Sequence, residues 1–177
     1  PKNTTRGDFI PASTAALAAP WALGATELPK GVVKIYVGWA PGGGTDVFAR
    51  IVGQKLSELW GRPVVVENKP GATGALAADF FARTRFTEGV NLLMAHVNTH
   101  AISPHIFKSI TYDPLKDFAP IAMVGATPHI LVTSARNPVG SIGEVVEQCR
   151  KNPEKISFGS SGTGSVQHLA AGMFYND

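Results

Sequence analysis

The chain has 177 residues, 44% of them hydrophobic and 16% charged, a composition that suits a globular protein long enough to bury a core. Its formal net charge of +3 is spread over interspersed acids and bases, which excludes the basic footprint of a nucleic-acid-binding domain. One cysteine, Cys149, excludes an internal disulfide and any CxxC metal or redox motif.

The first segment differs from the rest. No charge occurs between Phe9 and Thr26, and the alanine-rich "PASTAALAAPWALGA" follows Lys2 and Arg6 and ends in small residues. That layout predicts an export signal over residues 1–25, cleaved near Gly24 or Ala25. Pro11, Pro20 and Gly24 in so short a run argue against a membrane-spanning helix. "TTRGDFI" resembles a twin-arginine motif with Gly7 in place of the second arginine, so both the general secretory route and the twin-arginine route stay open.

Strand-like and helix-like segments then alternate. The sequence predicts strands at Val32–Val37, Val64–Val66 and Asn91–Met94, with helices over Asp46–Leu59 and Gly74–Ala82 between them. "APIAMVGATPHILVTSA" holds two apolar runs parted by Thr127-Pro128. Ser141 and Glu144 form a capping box for a helix to about Lys151, and a short strand at Ile156–Phe158 precedes a last helix from Gly164 to about Tyr175. The alternation predicts an α/β fold with parallel strands and crossover helices.

In such sheets ligands bind beyond the carboxyl ends of the strands, where helices begin. Four polar or glycine-rich turns are expected there: "PGGGTD", "NKPGATG", "HVNTHAISP" and "GSSGTGS". Helix N-termini present unpaired N–H groups and partial positive charge, so the turns predict a cleft for a carboxylate or a phosphate. Nucleotide motifs do not fit. Neither glycine cluster continues into Lys-Ser or Lys-Thr, and Val47 stands three residues after Gly44, where a dinucleotide fingerprint needs glycine. "GSSGTGS" departs from the nucleophile-elbow pattern at Thr163. His96, His100 and His105 with Asp113 lack metal-ligand spacing, so neither a metal nor a cofactor is expected. Asp46 suits the first turn of a helix, where the dipole favours a carboxylate, and suits a ligand contact as well.

Three blocks carry a family resemblance: "KIYVGWAPGGGTDVFARIVGQKLSELWGRPVVVENKPGATGALAADFFAR", "HVNTHAISPHIFKSITYDPLKDFAPIAMVGATPHILVTS" and "ISFGSSGTGSVQHLAAGMF". From about Lys34 to Phe174 they resemble, in order, the Bug-type periplasmic substrate-binding proteins of tripartite tricarboxylate transporters. The resemblance implies a two-lobed, type II-like flytrap of the α/β class. It divides the chain into a first lobe over residues 26–126 and part of a second over 127–177, with the C-terminal remainder missing. It also implies a non-enzymatic receptor that closes over a small carboxylate and delivers it to the transporter's membrane permease subunits.

Carried over by position, the resemblance makes Pro41, Gly42, Gly43, Gly44, Thr45 and Asp46 the loop whose amides hold a ligand carboxylate, with Asp46 facing the ammonium group of amino-acid ligands. Gly71, Ala72, Thr73, Gly74, Thr99 and His100 would border the cleft. Ser160, Ser161, Gly162 and His168 would contribute from the second lobe. Two departures are local: "RTRFTEGVNLLM" replaces a Pro-Asp-Gly-Tyr-Thr turn, and Tyr36 and Trp39 stand where small or apolar residues are usual. Two other readings compete, a serine hydrolase or transferase using Ser161 with His168, and a nonfunctional truncated product.

Overall fold

The structure is a computed structural model that describes residues 30–136, 139–153 and 155–176. The export signal expected at residues 1–25 lies outside the described residues. Three parallel strands form the sheet: β1 (Val33–Val37), β2 (Val64–Asn68) and β3 (Val90–Met94). Their order is β2-β1-β3, with Val33 opposite both Val64 and Val90.

β1 is central, and its sequence reflects that place. Val33, Ile35, Tyr36 and Val37 are all buried, as expected of a strand covered on both faces. On one face Ile35 and Val37 meet Ala49 of α1 (Gly44–Trp60), with Val52, Val64, Val66, Leu92 and Met94 packed around them. Gly53 lets α1 settle on the sheet, since a Cβ there would already lie 3.3 Å from Val64. On the other face Tyr36 meets Phe80 and Phe81 of α2 (Ala75–Arg83) and Phe86, at ring-centroid distances of 5.4, 6.0 and 5.6 Å. A second cluster of Ala75, Ala78 and Tyr112 extends this layer toward Phe118. The result is helix, sheet and helix in three layers.

Beyond β3 the chain makes a π-helical turn (Asn98–Ile102) and a short helix α3 (Ser103–Ile106), with Pro104 accommodated in its first turn. Ser141 caps α4 (Ile142–Lys151): its Oγ accepts the N–H of Glu144 at 3.2 Å, while the Glu144 carboxylate accepts the N–H of Gly140 at 2.9 Å. α5 (Val166–Asn176) is the last element.

One expectation is corrected: Ile156–Phe158 forms no strand. The apolar runs on either side of Thr127-Pro128 likewise pair with no strand among the described residues, and Ile121, Met123, Ile130 and Val132 are exposed. A strand needs a partner's backbone groups as well as apolar side chains, and the described sheet stops at β2 and β3.

Candidate functional site

Because β1 lies between β2 and β3, the chain leaves the carboxyl end of the central strand with a neighbour on each side. That is the point in an open α/β sheet where a crevice forms. The crevice here is a cleft of about 510 Å³ lined by residues 38–40 after β1, residues 70–74 after β2, Phe107 after α3, and residues 161–163 ahead of α5. Two of the four predicted turns, "NKPGATG" and "GSSGTGS", therefore meet in one place, and the segment that joins them from β1 ends at Ala40, just ahead of "PGGGTD".

Close backbone packing joins the first two turns. A Cβ on Gly38 would lie 2.8 Å from the Cα of Gly74, and one on Gly74 would lie 2.8 Å from both the Trp39 indole and the Thr99 methyl. Residues 71–74 all have positive φ, at 142°, 47°, 51° and 92°. Glycine accepts this, but at Ala72 and Thr73 the left-handed conformation costs about 1–2 kcal/mol per residue. Strain of this kind collects at binding sites, where the surrounding structure holds it in place. Across the cleft, a Cβ on Gly162 would touch the Thr73 methyl at 3.3 Å, so the turn before α5 sits directly over the strained one.

Trp39 is fixed from several sides. Its carbonyl accepts the side-chain amide of Asn68 at 3.0 Å, and its ring lies 4.6 Å from that of His96. The ring of His96 is itself set by the N–H of Asn98, which donates to Nδ1 at 3.1 Å.

The first-turn residues of α1 form a separate network. Asp46 is 1% exposed. Its Oδ2 accepts the N–H of Gly42 and the Nε of Arg50, each at 2.8 Å, and its Oδ1 accepts the Nδ2 of Asn68 at 2.8 Å. Arg50 first, then Gly42 and Asn68, hold its carboxyl well below the usual range. Two site expectations change accordingly. Asp46 presents no free carboxylate to an ammonium group, because three donors already occupy it, and the N–H of Gly42 is spent on Asp46 rather than aimed at a ligand. Gly43 is the N-cap, so the first-turn donors of α1 belong to Gly44, Thr45 and Asp46. Pro41, Gly42, Gly43 and Gly44 are exposed and continue from Ala40, where the cleft lining ends.

The remaining expected residues divide. Gly71, Ala72, Thr73, Gly74, Ser161 and Gly162 line the cleft. Thr99 and His100 support it from behind: Thr99 is buried against the backbone of Gly74, and His100 packs edge-on against Phe118 at 4.6 Å, with burial lowering its pKa. Ser160 braces its turn by accepting the N–H of Gly162 at 3.3 Å. His168 lies in the first turns of α5, where its N–H donates to Ser165 Oγ, and its Nδ1 is buried without a hydrogen-bond partner. The hydrolase reading fails on geometry, since the hydroxyl of Ser161 donates to Gln167 Oε1 at 3.0 Å rather than to His168. Among the described residues no group of three His, Cys, Asp or Glu is placed to hold a metal ion. No described helix is long and apolar enough to cross a membrane.

Sequence reasoning missed Trp39, Pro70, Phe107 and Thr163 in the lining, and the roles of Arg50 and Asn68. The i, i+4 spacing of Asp46 and Arg50 on α1 was a readable sign of their ion pair. Nothing local marked Asn68 or Phe107.

Comparison with known proteins identifies the family and the fold. The model of the tripartite tricarboxylate transporter family receptor matches residues 48–177. Protein BugT of Bordetella pertussis is 34% identical over 169 residues, covering 95% of this chain and 50% of BugT. Among solved structures, R. palustris Rpa4515 with adipate superposes with a TM-score of 0.76 at 30% identity, covering 80% of this chain and 47% of that one. The periplasmic binding protein BugD superposes at 0.69 with 30% identity, covering 84% and 49%. The chain thus spans about half the length of the relatives it matches. It belongs to the tripartite tricarboxylate transporter receptor family, a family of transport receptors rather than enzymes, and its fold is part of the two-lobed α/β periplasmic-binding-protein architecture.

Proposed function

We propose that this chain carries the carboxylate-binding cleft of a periplasmic solute receptor. In this reading residues 26–126 belong to a first lobe and residues 127–177 to a second, and closure of the lobes over the solute signals the membrane permease subunits of the transporter. The observation that supports it is the convergence of the turns after β1 and β2 with the turn ahead of α5 on one cleft. The solved relative with adipate is a precedent for a carboxylate solute.

The binding mechanism is charge-assisted hydrogen bonding from backbone N–H groups to a carboxylate. Glycines at 71, 74 and 162 keep the approach open, and the strained Gly71–Gly74 segment is preorganised, so little is spent on ordering it when a ligand arrives. Hinge closure then converts occupancy into a shape that a permease can recognise.

Isothermal titration of the purified chain against adipate and a panel of mono-, di- and tricarboxylates tests this. Saturable binding of any carboxylate that is lost in Gly162→Val is the expected result. Binding of none of them rejects the reading.

A further inference from the structure

Asn68 occupies the last register position of β2, opposite Val37 of β1, and its side chain is fully engaged. Both hydrogens of its Nδ2 are used, one donated to the Asp46 carboxylate at 2.8 Å and the other to the carbonyl of Trp39 at 3.0 Å. Its Oδ1 accepts Nη2 of Arg50 at 3.2 Å. The amide cannot turn over, because a flip would set its oxygen against two acceptors and its nitrogen against the guanidinium.

The bond to Trp39 decides which way the next peptide group faces. A trans peptide holds its C=O and N–H on opposite sides, and among the described residues no peptide bond is cis. With the Trp39 carbonyl drawn toward Asn68, the N–H of Ala40 is turned the other way. Ala40 is exposed and lines the cleft. Its own carbonyl is drawn back into the loop, where it accepts the N–H of Gly43 at 3.4 Å. Every such residue carries one acceptor for each donor, so a backbone that is to meet an anion must turn its carbonyl oxygens aside. On this segment the oxygens of Trp39 and Ala40 are both taken up by protein donors.

We infer that Asn68 is a positioning residue of the carboxylate site: by holding the Trp39 carbonyl it aims the N–H of Ala40 at the ligand, acting through the backbone rather than on the ligand itself. The inference rests on the receptor reading above and adds to it one donor and the side chain that aims it.

Calorimetric titration and NMR on the purified chain test it, with adipate as the probe or, where adipate does not bind, the tightest acid of the panel above. In the parent chain, saturation should move the Ala40 amide proton downfield, as a new charge-assisted hydrogen bond requires. Asn68→Asp keeps the size of the side chain and an acceptor for Arg50, but it sets an oxygen against the Trp39 carbonyl. Folded Asn68→Asp should bind the acid at least about tenfold more weakly. Saturation should then leave the Ala40 proton nearly unmoved while amides of the Ser161–Thr163 turn still respond. Asn68→Ala, which removes the donor without adding a charge, should show the same pattern if Asn68→Asp does not fold. An Ala40 proton unmoved at saturation in the parent overturns the inference and leaves the receptor reading standing. So does a folded variant that binds as the parent does, or one whose affinity falls while the Ala40 proton still shifts in full, because Asn68 would then be structural support only. Binding of no carboxylate by the parent rejects both readings.

Discussion

The carboxylate of Asp46 accepts the backbone N–H of Gly42 at 2.8 Å, closing the loop between β1 and α1 on itself. The same carboxylate takes Arg50 and Asn68, and Asn68 in turn holds the carbonyl of Trp39. Asp46 therefore ties the glycine loop, the end of β2 and one wall of the cleft together. Asp46→Ala should lower the melting temperature and weaken all carboxylate ligands by similar factors. A loss confined to amino-acid ligands, measured by titration, would restore Asp46 as an ammonium partner.

The same network fixes an acid limit. Asp46 titrates below its ordinary value of 3.8, so its contribution to stability is complete above that value and disappears as the pH falls below it. The histidines act at higher pH. Burial lowers the pKa of His96, helped by the nearby His129, and burial lowers that of His100. As the pH falls, the unfolded chain therefore takes up their protons before the folded one does. Their stabilisation is complete above about pH 6.5 and declines as the pH falls below that. Melting temperatures should be level above this pH and fall below it, and His96→Gln with His100→Gln should flatten the decline. An unchanged slope in the double variant would assign the decline to other groups.

Gly38→Ala should be among the most damaging small substitutions. Its new Cβ would lie 2.8 Å from the Cα of Gly74, and neither backbone can move without shifting β1 or the strained turn. Overpacking of this kind costs about 1–3 kcal/mol. Chemical denaturation should show that loss, and a variant as stable as the parent would mean that the two turns are not in contact.

The hydroxyl of Tyr112 donates to the carbonyl of Thr99 at 2.5 Å in the buried layer behind the cleft. Tyr112→Phe leaves the ring packed on Phe118 and removes that one bond, which should cost about 1 kcal/mol. Denaturant midpoints measure it. No change would mean that the Asn98–Ile102 turn is held without Tyr112.

Much of this was readable in the sequence where the signals are local. The valine-rich run at Val33–Val37, the apolar face of α1 and the Ser141 cap each depend on near neighbours, and the elements appear within a residue or two of expectation. The turns after β1 and β2 were recognisable for the same reason, since the glycine cluster of each follows a strand. What stayed hidden depends on distant partners. The chain around Ile121 to Val132 has strand-like composition but no partner strand among the described residues. Asp46 looked available for a ligand because nothing in the sequence brings Asn68 to it across 22 positions. Ala72 and Thr73 carry no mark of their left-handed conformation, which follows from the docking of Gly38, Gly74 and Thr99.

The glycines at 42, 43 and 44 look equivalent in the sequence, and the structure separates them. Gly42 has φ of 85°, so the backbone alone accounts for it. Gly43 is extended, at φ −71° and ψ 161°, and a Cβ there would meet the Ala40 carbonyl oxygen only at 3.4 Å, an ordinary contact. Gly44 opens α1 in helical conformation with nothing within 4 Å of its would-be Cβ. Neither backbone geometry nor packing among the described residues requires glycine at these two positions, and the receptor reading proposed above offers a reason for them in the close approach of a ligand to the loop. Gly44→Ala should accordingly leave the fold intact, or stabilise it by about 0.5–1 kcal/mol through helix propensity, while weakening carboxylate binding several-fold. Stability and affinity moving in opposite directions, read by melting and by titration on the same sample, would place Gly44 at the ligand. Unchanged affinity would confine the site to the Gly38–Ala40, Gly71–Gly74 and Ser161–Thr163 turns.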